Sequence, residues 1–192
     1  HGPAIPGTVG LPIPNVEVTV QDDEGNVLPD LADGEICVRG GNVMLGYWNQ
    51  PEETEAALGD GWFHTGDGGV IGDDGYLSIS DRKKDVIITG GENVSSVEVE
   101  DVIFSHPDVE EVAVIGVPDA KWGETIKALV VKTPGSSLTE AELIAHCKSK
   151  VAGYKAPTTV EFRDVLARTA TGKLQKFKLR APYWEGQERQ VN

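Results

Sequence analysis

Around Asp85 the spacing of apolar residues changes period, and no other feature constrains the fold of this chain as tightly. Before Asp85, apolar and polar residues alternate: Val16, Val18 and Val20 in one stretch, and "GEICVRG" (34–40) in another. Alternation with period two describes strands that bury one face. Turn signals separate these stretches, at Asp-Glu-Gly (23–25), Ala-Asp-Gly (32–34) and Asp-Asp-Gly (73–75). One short helix is predicted within this part, Pro51 to Leu58. Proline suits its first turn, and Glu52 and Glu53 suit the positive end of its dipole.

After Asp85 the periods mix. "VIITGG" (86–91) reads as a short strand or hairpin arm. Ser95 followed by Glu98 is a capping-box signature, and Val99, Val102 and Ile103 then share one helical face. "VAVIGV" (112–117) reads as a buried strand by its length and β-branching, and "KALVVK" (127–132) as another. Thr139 with Glu142 repeats the capping box, with Leu143, Ile144, Cys147 and Val151 along one stripe; "TVEF" (159–162) closes the series as a strand. A β-rich segment followed by a βαββαβ-like one is expected to give two packing units of a mixed α/β (α+β) chain, with their boundary within residues 80–100.

Composition narrows the function. The 192 residues carry 17 basic and 31 acidic side chains, a net charge of −14, which repels nucleic acid and anionic membranes. No apolar run reaches the roughly 20 residues that a membrane span requires. The N-terminal "HGPAIPGTVGLPIPN" lacks the charged and apolar regions of a signal peptide. Cys37 and Cys147 lie far apart without a CxxC, which suits a reducing cytosol; attachment to a membrane surface is left open. The four histidines are scattered and HExxH is absent, so no metal site is expected. Asn93-Val94-Ser95 matches a glycosylation sequon and is read as chance.

Three segments could carry chemistry. "RTATGKLQK" (168–176) lacks the earlier glycine and following Ser/Thr of a P-loop, since Ala167 and Leu174 stand there; it leaves Lys173 on a Thr/Gly-rich loop read as mobile. Lys173 is either a surface lysine or a compact charge brought to an anionic substrate. In "WFHTGDGG" (62–69), Asp67 either accepts from two vicinal hydroxyls, as in ribose recognition, or caps a tight turn. Trp122 either stacks on a base or fills the core, and the core is the default for an indole.

Together the segments resemble the adenylate-forming acyl-CoA synthetases, aryl-CoA ligases and luciferases. "GEICVRGGNVMLGYWNQPEET" (34–54), "GWFHTGD" (61–67), "GYLSISDRKKDVIITGGENVSSVEVE" (75–100), "GYKAP" (153–157) and "TATGKLQK" (169–176) fit that family's motifs in order. The resemblance implies two steps: ATP and a carboxylate, commonly a fatty acid, give an acyl-adenylate and pyrophosphate, and a thiol, usually of coenzyme A, then takes the acyl group. By motif position, Asp67 and Arg82 would hold the nucleotide ribose and Lys173 would bridge carboxylate and phosphate oxygens in the first step. Lys84 would be the hinge, dividing the end of the large domain, residues 1–83, from a C-terminal lid, residues 84–192, that rotates between steps. Gly90 and Gly91 would then line the pantetheine channel, with Trp122 and Tyr154 against the nucleotide end of coenzyme A.

The family's Thr/Ser/Gly-rich phosphate loop and its "YGxTE" motif are not among these residues. The resemblance therefore implies the end of the large domain followed by the lid, with the remaining N-terminal domain, most of the acyl pocket and the Mg2+ that accompanies ATP supplied elsewhere in a longer chain. Ala167 stands where the family usually has proline, which is expected to loosen the approach to Lys173. Two other readings stay open: an adenylating enzyme whose acceptor is a carrier protein or oxygen, as in luciferases, and a non-catalytic lid-like interaction module.

Overall fold

The computed structural model describes residues 5–186 and divides into two compact units, His1–Lys83 and Lys84–Asn192. The stretch read for a leader begins in residues 1–4, outside the described residues. No helix among the described residues is long and apolar enough to cross a membrane.

The first unit is a four-stranded antiparallel sheet, ordered β1 (Val16–Gln21), β2 (Gly34–Gly40), β3 (Phe63–Ile71), β4 (Leu77–Arg82). Helix α1 (Pro51–Leu58) joins β2 to β3, packs on β3 and buries Ala57. The pairing is regular between β1 and β2 and slips between β2 and β3. There it moves from Glu35↔Gly68 to Cys37↔His64, so β3 takes four steps where β2 takes two. The surplus falls on Thr65, Gly66 and Asp67. Simple alternation in "GEICVRG" does not hold: Glu35, Ile36 and Cys37 are buried in succession. An inner strand beside a bulge has no solvent face for its middle residues, and Glu35 is buried against polar partners rather than apolar ones. Gly69 permits the close strand approach, since a Cβ there would lie 2.5 Å from Ser78 O and 2.7 Å from Ile36 Cδ1.

In the second unit, β5 (Ile87–Thr89) and β6 (Glu92–Val94) form a two-residue hairpin through Gly90 and Gly91, at φ 61° and 87°. Two consecutive positive φ values are those of a type I′ turn, which glycine adopts without steric cost. Helix α2 (Ser96–Phe104) leads to the long hairpin β7 (Val109–Asp119) and β8 (Gly123–Lys132). Helix α3 (Glu140–Lys148), β9 (Thr159–Phe162) and α4 (Lys176–Arg180) complete the order. The path β6-β5-β8-β7 is antiparallel, and β9 adds parallel to β8, Lys127↔Thr159 to Val130↔Phe162.

Both faces of this sheet are covered, which explains why "VAVIGV" is a continuous apolar run. Val112 and Val114 face a cluster with Ile126, Val130, Val99, Ile103, Leu143 and Cys147, drawn from β8, α2 and α3. Ala113, Ile115 and Val117 face a second cluster with Leu129, Val131, Leu166 and Leu179. Each fully buried Leu or Ile contributes roughly 1.5–3 kcal/mol. Gly116 sits in this run because a Cβ there would overlap the buried Glu124 carboxylate, whose Oε2 accepts from Ile88 N at 3.2 Å.

The helix starts follow their signals. Thr139 Oγ1 accepts from Glu142 N at 3.3 Å and Glu142 Oε2 accepts from Thr139 N at 2.9 Å, a complete capping box. Ser95 Oγ likewise accepts from Glu98 N at 3.3 Å, while the Glu98 carboxylate binds Lys155 Nζ at 2.8 and 2.7 Å.

Candidate functional site

Asp67 and Arg82 are register partners on neighbouring strands, and Arg82 Nε meets Asp67 Oδ1 at 3.1 Å. The Asp67 side chain is 32% exposed and that of Arg82 is 43% exposed. This replaces the tight-turn alternative. Asp67 belongs to a bulged strand, and other groups hold its backbone: Asp67 N donates to Thr65 Oγ1 at 3.1 Å and Gly66 N to Glu35 Oε1 at 2.9 Å. Thr65 Oγ1 in turn donates to Ile36 O at 2.8 Å. A carboxylate presented from such a bulge and steadied by a guanidinium can accept from vicinal hydroxyls.

Beneath the bulge is a polar cluster that the sequence reading missed. Glu35 Oε2 lies 3.1 Å from His64 Nδ1 and 3.3 Å from Lys83 Nζ, and His64 Nε2 lies 3.0 Å from Asp60 Oδ2. Burial pulls the His64 imidazole down, but its hydrogen bonds to Glu35 and Asp60 outweigh that and hold it above its ordinary range. Burial pushes the Glu35 carboxyl up, and the bonds from His64, Gly66 and Lys83 outweigh it and keep Glu35 ionised below its ordinary range. Burial, with Glu35 and Asp60 nearby, pushes the Cys37 thiol up to about 12, so it is no nucleophile. Glu35, Cys37 and His64 bring one donor each within 4.8 Å of one another. These groups already pair with one another: Lys83 Nζ donates to Glu35 Oε2 at 3.3 Å, and both nitrogens of His64 face carboxylates.

In the second unit Lys173 is exposed on the segment between Arg168 and Leu174, which are joined by an isolated bridge. This loop is not loosely held. Thr169 N donates to Lys173 O at 2.8 Å, Lys173 N to Thr169 Oγ1 at 3.0 Å and Gly172 N to Thr169 O at 2.9 Å, with Gly172 at φ 87°. Arg168 Nη1 caps Gly172 O at 2.7 Å, and its Nη2 pairs with Glu111 at 2.8 Å. Ala167 does not loosen the approach either: its carbonyl accepts from Gln175 N at 2.9 Å and its methyl packs on the second core cluster.

The core reading of Trp122 is overturned, for the indole is 49% exposed. Its carbonyl accepts from Gly90 N at 2.9 Å, and a Cβ on Gly90 would lie 2.9 Å from the ring. Space and φ thus both require glycine at 90. Trp122 belongs to the short turn joining β7 to β8, and such a turn offers a flat ring nothing to be buried under. Gly90, Trp122 and the half-exposed Tyr154 line one open cavity of about 430 Å3, with Thr89, Thr125 and Thr158. Lys121 Nζ stands 4.2 Å from the centre of the indole ring. Gly91 is at φ 87° in the same hairpin turn, with open space where a Cβ would be. Lys84 is exposed in the 3-10 turn Lys83–Asp85, and the division between the units falls between Lys83 and Lys84.

Residues 98–173 match the family model described as the AMP-binding enzyme C-terminal domain, and residues 2–48 match that of the AMP-binding enzyme. The chain is 47% identical over 174 residues to a long-chain-fatty-acid–CoA ligase of Escherichia coli O6:H1, covering 91% of this chain and 31% of the ligase. It is also 47% identical to a feruloyl-CoA synthase of Amycolatopsis sp, over 91% of this chain and 35% of that one. Among solved structures, ATP-bound MatB from Rhodopseudomonas palustris superposes with a TM-score of 0.89 at 43% identity, over 95% of this chain and 37% of MatB. The chain thus spans about a third of the length of the curated relatives it matches.

Proposed function

Because this chain belongs to the AMP-binding enzyme family, we propose that it is the C-terminal part of an ATP-dependent acyl-CoA synthetase. The parent enzyme joins a carboxylic acid, of the fatty-acid class, to coenzyme A. The observation that carries this reading is the Asp67–Arg82 pair, presented from a bulged strand immediately before the division between the units. In the first step a carboxylate oxygen attacks the α-phosphorus of ATP and pyrophosphate leaves. Asp67 accepts from the ribose hydroxyls and Arg82 steadies that carboxylate. Lys173, on its closed loop, supplies a cation to the negative charge that builds at phosphorus. In the second step the thiol sulfur attacks the acyl carbonyl, and AMP leaves.

Lys173 and the thiol cannot occupy the same space, so the reading includes a rotation of residues 84–192 about Lys84 between the steps. The cavity beside Gly90 then receives coenzyme A. Trp122 and Tyr154 offer flat faces for its adenine, and Gly90 and Gly91 let the pantetheine arm approach the backbone. Lys121 covers part of the indole in this structure and must yield one face to a stacked ring. Magnesium enters with ATP, at the part of the enzyme that precedes this chain, and the enzyme works in the cytoplasm.

In the full-length enzyme, Lys173→Ala is expected to lower adenylate formation by at least about a hundredfold. Thioesterification of a supplied acyl-adenylate should stay near normal. The measurements are pyrophosphate release for the first step and acyl-CoA formation for the second; equal loss of both removes the role assigned to Lys173. Residues 1–192 alone should release no pyrophosphate from ATP with a fatty acid, and any such release would overturn their place as the C-terminal part.

A further inference from the structure

Two side-chain clamps flank Lys84, one in each unit. Upstream, Lys83 Nζ donates to Asp23 Oδ1 at 2.8 Å and to Glu35 Oε2 at 3.3 Å, all within the first unit. The Glu35 side chain is only 10% exposed, and its other oxygen is held by Gly66 N. Downstream, Arg180 Nη1 donates to the Lys84 carbonyl oxygen and to Asp85 Oδ1, each at 3.1 Å and within the second unit. The Arg180 and Asp85 side chains are 13% and 11% exposed. Lys84 lies exposed between the two clamps.

We propose that Lys83 and Arg180 are positioning residues that confine the bend of the joint to the φ and ψ of Lys84. The inference rests on Lys84 as the pivot and adds what makes the pivot a single residue. A peptide unit is planar, so the carbonyl of Lys84 and the N–H of Asp85 form one rigid plate. Arg180 ties that plate, and the carboxylate following it, to α4. Any turn at Lys84 therefore carries its carbonyl with the second unit, and the Arg180 bonds survive the turn. On the other side β4 anchors the backbone through Arg82, and two carboxylates of the first unit hold the Lys83 ammonium. The soft torsions of Lys84 lie between these anchors.

Without the clamps the bend spreads over residues 83–86, and each freed residue multiplies the orientations the second unit samples. Helix α4 begins three residues after Lys173, so the Arg180 clamp also fixes the lysine loop relative to the pivot plate. The clamps thus convert a flexible linker into a joint with a defined arc, which both half-reactions require of one lysine and one cavity.

The test uses the full-length enzyme with spin labels at Glu53→Cys and Lys148→Cys, exposed positions in the first and second units. Pulsed EPR reads the distance distribution with and without coenzyme A and a non-hydrolysable acyl-adenylate. Arg180→Gln and Lys83→Gln should each broaden the distribution and slow overall acyl-CoA formation from free acid about tenfold. The double variant Arg180→Gln/Asp85→Asn leaves no unpaired buried charge, so it recovers the melting temperature but keeps the broad distribution. If Arg180→Gln does not fold, that double variant carries the measurement. Distributions as narrow as in the unsubstituted enzyme would overturn the clamps. A single unchanging distance in the unsubstituted enzyme, whatever the ligand, would overturn the pivot itself and the clamps with it.

Discussion

His64 sits between two carboxylates, Glu35 at 3.1 Å and Asp60 at 3.0 Å, and its pH behaviour follows from them. Its folded-state affinity for a proton is raised above the ordinary 6.5. Its contribution to stability is therefore complete below pH 6.5 and is lost as pH rises through the elevated folded value. Glu35 is shifted the other way: its contribution is complete above its ordinary 4.5 and is lost as pH falls through the lowered folded value. The cluster under the Asp67 bulge should thus be firmest between these two values. The melting temperature should fall from pH 6.5 toward 8.5, and His64→Gln should flatten that fall; a parallel slope in the variant would show that His64 is not its source. This arrangement was not legible in the sequence. Glu35 finds its partners His64, Gly66 and Lys83 at 29, 31 and 48 residues' distance, and no local pattern marks an acidic residue in a strand as the hub of a loop. Asp67 and Arg82 were legible as types, through motifs, but their ion pair depends on strand register.

Among the elements, those whose cause is local match their expectation. Helix α1 spans Pro51–Leu58 and β9 spans Thr159–Phe162, as their first-turn residues and apolar pattern indicated. Helix α3 starts with reciprocal bonds between Thr139 and Glu142, both read from the sequence. Thr139→Ala should cost about 1 kcal/mol of unfolding free energy, and Thr139→Ser should restore most of it. Urea melts of the three proteins check this, and an alanine variant as stable as the parent would show the box to be incidental. Elements shaped by their neighbours departed from expectation. Strand β2 buries three consecutive residues because β3 bulges beside it, and β7 extends to Val109–Asp119 because it pairs with β8 along its length. The Lys173 loop is closed by Arg168, whose anchor Glu111 lies 57 residues earlier. Nothing in "RTATGK" announces that anchor.

For the whole molecule, the change of hydrophobic period near Asp85 and the division at Lys83/Lys84 lie within two residues of each other. If Lys84 is the pivot, proline there should arrest the full-length enzyme, because proline fixes φ and removes the N–H. Lys84→Pro is expected to abolish acyl-CoA formation from free acid while sparing one isolated half-reaction. Normal rates in both halves and in overall turnover would exclude a pivot at this residue. The assignment of Asp67, Arg82, Lys84, Gly90–Gly91 and Lys173 rests on the resemblance of their motifs; the sequence by itself determined the division into two packing units and the places where helices start and strands turn. Those depend on the chemistry of a few adjacent residues, which period, caps and glycines express directly. Only the tertiary structure decided that Trp122 is exposed beside Gly90, that Glu35 holds both the Asp67 bulge and Lys83, and that Arg180 grips the backbone at Lys84. Each of these is a contact between residues distant in the chain, fixed by strand register and by burial on both faces of a sheet.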